Sequence, residues 1–237
     1  MTPRVSIIIP AYNEEYLLEA TLRAVGQAIA AIGVPAEVIV VDDASTDRTA
    51  AIARDQGARV VPVALRHIAG ARNAGARAAN GSVLIFVDAD TIVPAAIFKK
   101  ALAAIDAGAV GGGAGVRQDT PEPRWGAFAF VVVSWILRTA RWAAGSFVFV
   151  RRDVFDQVHG FDEQYFASEE IHLSRAVKRH GRFVILEDSV ITSGRKARMF
   201  SGRAVFMQFV AAFWPGTLKR RDRLRLWYGG EREKPQT

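Results

Sequence analysis

The chain has 237 residues, half of them hydrophobic, and a formal net charge of +7, enough length for one large α/β domain, or a domain and a half, with a substantial core. It contains no cysteine, which excludes a disulfide scaffold, a thiolate metal site and a cysteine nucleophile, and is compatible with a reducing compartment. The charge is uneven: residues 195–237 hold 11 Lys/Arg against 3 Asp/Glu, while the rest of the chain is near neutral at −1. A nucleic-acid partner calls for basic residues interleaved with aromatics on the folded body; an anionic membrane surface or a solvated tail fits a basic end better.

The first apolar run breaks at Pro10 and is too short for a signal peptide. Ala127–Leu137 and Ala204–Trp214 both fall short of the roughly 20 residues a membrane-spanning helix needs. The expected location is cytoplasmic, or peripheral on the inner face of the membrane.

Val5–Ile9 is a β-branched apolar run, the pattern of a strand buried on both faces. Glu14–Ile32 has apolar residues three or four apart at Leu18, Leu22, Val25 and Ile29, which predicts a helix. Glu37–Val41 follows as a second strand. Thr46–Gln56 is a helix opened by Ser45, Thr46 and Asp47, with Asp47 its expected N-cap. Arg59–Val63 is a third strand, Ala69–Ala79 an Ala-rich helix, and Val83–Val87 a fourth strand. Pro94–Ile105 reads as a helix, Gly108–Gly115 as a glycine-rich segment around a strand, and Pro121–Trp142 as an aromatic helix. Gly145–Val150 is a strand, Asp153–Val158 a short helix and Ser168–His180 a longer one. Phe183–Leu186 and Val190–Thr192 are two late strands.

Strands joined by helical crossovers predict an α/β fold: a Rossmann-type, mostly parallel sheet flanked by helices, with a smaller extension after residue 107. Ligands in such sheets bind beyond the carboxyl ends of the strands. The sequences at those ends are Pro10-Ala11-Tyr12-Asn13-Glu14, Asp42-Asp43-Ala44-Ser45 and Asp88-Ala89-Asp90. By topology they share one rim. The last is two carboxylates one residue apart, a seat for a hard divalent cation that travels with phosphate. A turn before Pro94 accounts for those acids alone; their convergence with the other two clusters is what points to a site.

These motifs, with Gly70-Ala71-Arg72-Asn73-Ala74-Gly75, Gly160-Phe161-Asp162-Glu163 and Glu169-Glu170, occur in an order that resembles family 2 glycosyltransferases of the GT-A fold, over about residues 4 to 195. The resemblance implies a metal-dependent, inverting, hexosyltransferase-type enzyme that moves a sugar from a nucleoside-diphosphate-sugar to an acceptor hydroxyl. It implies that Pro10, Tyr12 and Glu14 wrap the base and ribose, that Asp43 bonds the base and that Arg72 binds the nucleotide. Asp88 and Asp90 would be the metal motif for Mg²⁺ or Mn²⁺, with Asp90 the direct ligand and Asp88 also facing the nucleotide. Glu170 lies where the family carries its catalytic base, and Glu169 competes for that role. Ser168 is placed to cap their helix, whose dipole would favour the ionised carboxylate.

The sequence departs from the family where Glu169-Glu170 replaces a Glu-Asp pair, where His172 replaces a further acid, and where His159 replaces a glycine. Arg195, or Lys196, follows a late strand and is a candidate for the diphosphate. Trp142 either stacks on a sugar ring or is simply buried. The organisation implied is a domain over 1–195, with a nucleotide-sugar half to about 107 and an acceptor half from about 108, then a helical, basic segment over 196–237. Phe206, Phe209, Val210 and Phe213, followed by Lys219, Arg220 and Arg221, describe either an interfacial helix with a basic anchor or a helix packed on the domain. The acceptor is a glycan, a lipid-linked sugar or a small molecule. Two other readings stay open: a sugar-phosphate nucleotidyltransferase, which favours a Gly-rich basic loop where Asn13-Glu14-Glu15 stands, and a non-catalytic nucleotide-binding scaffold.

Overall fold

The computed structural model describes residues 2–119, 135 and 138–194. The predicted helix over Pro121–Trp142 therefore lies mostly outside the described residues, as do Arg195, Lys196 and the whole segment 196–237.

A single mixed sheet runs in the order β3-β2-β1-β4-β7-β6-β8-β5. Its strands are β1 (Val5–Ala11), β2 (Ala36–Asp43), β3 (Arg59–Val63), β4 (Val83–Val87), β5 (Thr91–Ile92), β6 (Gly111–Gln118), β7 (Phe147–Arg151) and β8 (Phe183–Thr192). β3, β2, β1 and β4 are mutually parallel. The right-handed crossovers expected of such strands are α1 (Leu18–Ile32), α2 (Thr49–Asp55) and α3 (Ile68–Ala78). β7 then enters antiparallel between β4 and β6, and β8 returns parallel to β6. Helices α4 (Ala95–Asp106), α5 (Arg152–Gln157) and α6 (Glu169–Val177) follow, with a 3-10 turn over Lys178–His180; residues 135 and 138–140 are also helical.

Strand side chains alternate between the two faces. Val5, Ile7 and Ile9 pack with Leu18, Leu22 and Val25 of α1 and Ile97, Phe98 and Leu102 of α4. Ile8, on the opposite face, packs with Ala71 and Ala74 of α3, Phe155 of α5 and Leu173 and Val177 of α6. Both layers bury their apolar faces against the one sheet, so the strand ends are held on a rigid rim.

Several boundaries differ from the sequence reading. Helix α1 starts at Leu18, not Glu14, because residues 13–15 are pinned to the loop over 45–49: the Asn13 amide donates to Ser45 Oγ (3.0 Å), Glu14 to Thr49 Oγ1 (2.8 Å) and Glu15 to Asp47 Oδ2 (3.2 Å). Helix α2 likewise starts at Thr49 and not Thr46, with Arg48 and not Asp47 at its N-cap and no side-chain cap; Asp47 instead accepts from the Thr49 amide at 2.9 Å within the preceding turn. The two late strands are one, β8, whose register against β6 shifts between Ala114 and Gly115 so that Leu186 and Ser189 are successive partners. Glu187 and Asp188 are the excess residues of a bulge.

Candidate active site

The carboxyl ends of β1, β2 and β4 meet on one rim, as Ala11 pairs with Asp42 and Ile8 with Phe86. At that rim, Asp88 opens a turn in which the Thr91 amide donates to the Asp88 carbonyl (3.1 Å). Buried Thr21 of α1 donates its hydroxyl to the Ala89 carbonyl at 2.9 Å. The strand end is therefore clamped from below, leaving Asp88 and Asp90 partly exposed on either side of buried Ala89.

Arg72 organises the centre of the site. It lies on α3, whose small residues let the helix sit close on the sheet, and its side chain is 1% exposed. One end of the guanidinium donates from Nη1 to Glu169 Oε1 at 2.6 Å. Nη2 donates to Asp88 Oδ1 (2.8 Å) and to the Gly145 carbonyl (2.9 Å). A single buried cation thus ties the acid at the end of β4 to the acid at the start of α6, the latter 97 residues from Arg72 in sequence. Burial disfavours this charge, but Asp88, Glu169 and Glu170 outweigh it and hold the Arg72 pKa above its ordinary value. The family resemblance gave Arg72 to the nucleotide; with so little surface, the guanidinium acts beneath the site floor by fixing Asp88 and Glu169.

Next to it on α3, Asn73 holds the opposite end of the same loop. Its Nδ2 donates to the Phe161 carbonyl and to Glu163 Oε1, both at 2.9 Å, and its Oδ1 accepts from the Phe161 amide at 2.9 Å. Gly160 has φ of 73°, and a Cβ there would lie 2.6 Å from Asn73 Oδ1, so this close approach admits only glycine. His159 also takes a left-handed conformation, with φ of 62°, and accommodates its side chain at a position glycine would suit better.

Glu170 is partly accessible, whereas Glu169 is buried. Burial, and then the neighbouring Glu169 charge, push the Glu170 carboxyl up to about 8, with Arg72 pulling the other way. This corrects the expectation that the helix start keeps it ionised. Ser168 supplies no side-chain cap and instead adopts a left-handed φ of 63°. Burial and like charge prevail over the dipole.

On the nucleotide side, Tyr12 lies under the Arg66 guanidinium, 3.3 Å from the ring centroid, a cation–π contact. Arg66 is held there because Asp43 accepts from the Leu65 amide (2.6 Å), the Arg66 amide (2.8 Å) and the His67 amide (3.0 Å). The resemblance gave Asp43 to the base; its carboxylate is buried and shapes the 65–67 loop. Asp42, one residue earlier, is half-buried and accepts from the Ser45 amide at 3.2 Å. Pro10 precedes the end of β1, and Glu14 is 6% exposed beneath the Tyr12 loop. Neither Arg66 nor Asn73 stands out in the sequence; the signal for Asn73 was its place beside Arg72.

The metal motif offers two hard carboxylates, and among the described residues no group of three or more His, Cys, Asp or Glu gathers to cage an ion. That donor set fits Mg²⁺ or Mn²⁺ bound through one or two carboxylates together with substrate phosphates, and not a closed structural site. Thr192 Oγ1 stands 3.4 Å from Asp90 Oδ1, and the Ser193 amide donates to the Asp90 carbonyl at 3.1 Å, so the end of β8 is tied to this motif. Trp142 neither stacks openly nor is fully buried: the Arg175 guanidinium covers its ring at 4.4 Å. His172 stacks on Tyr165 with ring centroids 3.7 Å apart.

This combination of fold and rim defines a glycosyltransferase framework. The family model described as "Glycosyl transferase family 2" matches residues 6–161, and the chain belongs to that family. It is similar to the uncharacterized glycosyltransferase EpsJ of Bacillus subtilis, 36% identical over 106 residues covering 42% of this chain and 30% of EpsJ. It is also similar to an undecaprenyl-phosphate 4-deoxy-4-formamido-L-arabinose transferase of Edwardsiella ictaluri, 35% identical over 111 residues, 44% of this chain and 34% of the relative. The chain thus spans about a third of the length of these relatives. Among solved structures, the mannosyltransferase PcManGT from Pyrobaculum calidifontis, crystallised with GDP-Man and Mn²⁺, superposes with a TM-score of 0.66 at 21% identity, covering 99% of this chain and 66% of that one. S. aureus TarS 1-349 in complex with UDP gives 0.62 at 21%, covering 88% and 64%. At these identities the structural likeness speaks for the GT-A fold.

Proposed function

We propose that this chain transfers a sugar, with inversion, from a nucleoside-diphosphate-sugar bound at the β1–β2–β4 rim to an acceptor hydroxyl positioned by Glu170. The observation that carries this reading is the Arg72 bridge, 2.8 Å to Asp88 and 2.6 Å to Glu169, which sets the diphosphate-facing acids against the acid pair of α6. Residues up to about 107 then serve the donor and those from about 108 to 195 the acceptor.

In this mechanism the acceptor oxygen attacks the anomeric carbon from the face opposite the diphosphate. The new C–O bond forms as the bond to the diphosphate oxygen breaks, and the acceptor proton passes to the Glu170 carboxylate. A positioned base of this kind contributes about 10²–10⁴-fold. Glu169, held by Arg72, orients the start of α6 and does not take the proton. Asp90, with Asp88, would hold Mg²⁺ or Mn²⁺; that ion supplies Lewis-acid stabilisation of the leaving diphosphate. Tyr12 and the Arg66 loop receive the base and ribose, with Asp43 holding that loop in place.

A relative named as an undecaprenyl-phosphate transferase supports a lipid-phosphate or lipid-linked acceptor over a free sugar. No helix of the described residues is long and apolar enough to cross a membrane; the location consistent with a lipid-linked acceptor is peripheral, on the inner face, with segment 196–237 as an additional anchor.

The test is isothermal titration of UDP- and GDP-sugars with and without Mn²⁺, in the wild type and in Asp90→Asn. Metal-stimulated donor binding should vanish in the variant. Equal affinity with and without metal in the wild type would remove the metal from the mechanism.

A further inference from the structure

The far end of α6 carries cations that the transfer reaction does not use. Arg141 comes from the turn after residue 140, and Arg175 and Lys178 from the end of α6 and the 3-10 turn. The fold brings them together. Arg175 lies over Trp142, Lys178 Nζ donates to the Ala140 carbonyl, and the Lys178 pKa is lowered by burial and then by repulsion from Arg141 and Arg175. Arg138 and Arg179 flank the group and are exposed, as are Arg141 and Arg175. Arg138 spends one N–H on the Glu187 carbonyl, 3.0 Å away. Among the described residues none of these cations is in an ion pair. A helix carboxyl end attracts a basic residue or two, but it does not explain like charges converging on it from a second segment.

We propose that Arg138, Arg141, Arg175, Lys178 and Arg179, with Trp142 among them, form a docking face for an anionic bilayer surface. Charge complementarity selects the partner: clustered cations with an amphipathic indole match anionic headgroups at a membrane interface. The connection to the site is direct. Residues 141–146 run beside α6, the Ala143 amide donating to Ser174 Oγ at 3.0 Å and the Gly145 carbonyl accepting from Arg72. The cationic face and the acid pair therefore occupy opposite ends of one nine-residue helix, about 13 Å apart at 1.5 Å rise per residue. An acceptor standing out of a bilayer docked there meets Glu170 one helix-length from the surface. These residues lie outside the basic segment 195–237 in sequence.

The experiment is co-sedimentation of the full chain with phosphatidylglycerol–phosphatidylcholine vesicles and with pure phosphatidylcholine vesicles. The wild type should prefer the anionic vesicles and be released by high salt. Each exposed arginine neutralised should weaken partitioning about fivefold, and Arg141→Gln/Arg175→Gln/Arg179→Gln together about a hundredfold. Donor hydrolysis in water should stay at the wild-type rate, because none of the three touches the acid pair. Should the triple variant fold poorly, the single variants decide. Partitioning unchanged in the variants assigns membrane binding to residues 195–237 and overturns the proposal; so does a wild type indifferent to phosphatidylglycerol. A loss of donor hydrolysis in the wild type would count against the proposed function and leave the vesicle result to stand alone.

Discussion

Glu170 owes its chemistry to its neighbours. A carboxyl pushed up to about 8 by burial and by Glu169 is mostly protonated at neutral pH, so kcat/KM should climb as pH rises through that value and the base is freed. Glu169→Gln removes the repelling charge and should move this limb to lower pH; Glu170→Gln should retain donor binding and lose about 10²–10⁴-fold in kcat. Stability obeys the same group with a definite sign. Its folded pKa lies above the ordinary glutamate value of 4.5, so the native state holds a proton that the unfolded chain has released, and stability falls between about pH 4.5 and 8. Thermal melts across that window should show a decline in the wild type that flattens in Glu170→Gln. The acid pair was legible in the sequence, but its electrostatics were not. The raised Glu170 carboxyl owes most to burial, which no local pattern announces, and only then to Glu169 beside it.

Among the elements, α3 does the most positioning. A Cβ at Gly75 would fall 2.4 Å from Ile8 Cγ2 and 2.8 Å from Val41 Cγ2, so the helix approaches the sheet as closely as a glycine allows. Gly75→Ala should cost about 1–3 kcal/mol through overpacking and lower Tm by about 2–4 °C for each of those, measured by calorimetry. Because α3 carries Arg72 and Asn73, the same substitution should also reduce kcat by shifting Asp88 and Glu169. The helices and parallel strands of the first half were readable from apolar periodicity and β-branched runs. What periodicity missed was set by tertiary contact: the late start of α1, the fusion of two short strands into a bulged β8, and the two-residue β5, which exists because Thr91 and Ile92 pair with Thr192 and Ile191.

For the whole molecule, the strand order brings the β1–β2–β4 rim and the loop before β7 onto one continuous sheet. The antiparallel entry of β7 beside β4 is what carries Gly145 to Arg72, and no local pattern in the sequence announces it. The shared rim of Pro10–Glu14, Asp42–Ser45 and Asp88–Asp90 was foreseeable, since parallel strands must present their carboxyl ends together. The gathering of Arg141, Arg175 and Lys178 was not, as the body carries almost no net charge when counted along the chain. A screen of UDP-, GDP- and TDP-sugars with Mn²⁺ should raise Tm for the cognate donor alone; at about a hundredfold over Kd the gain is about 2.7 kcal/mol. No shift with any donor would leave the rim without a nucleotide.

Adjacent residues on α3 fasten both margins of the stretch from 161 to 169, Asn73 at Phe161 and Glu163, Arg72 at Glu169. Its interior is held as well: Tyr165 stacks on His172 of α6, and Phe166 meets His67, the residue before α3, edge to face. The stretch is thus clamped along its length, so replacing Tyr165 or Phe166 should be felt at α6 and at the Asp43 loop and not in the stretch alone.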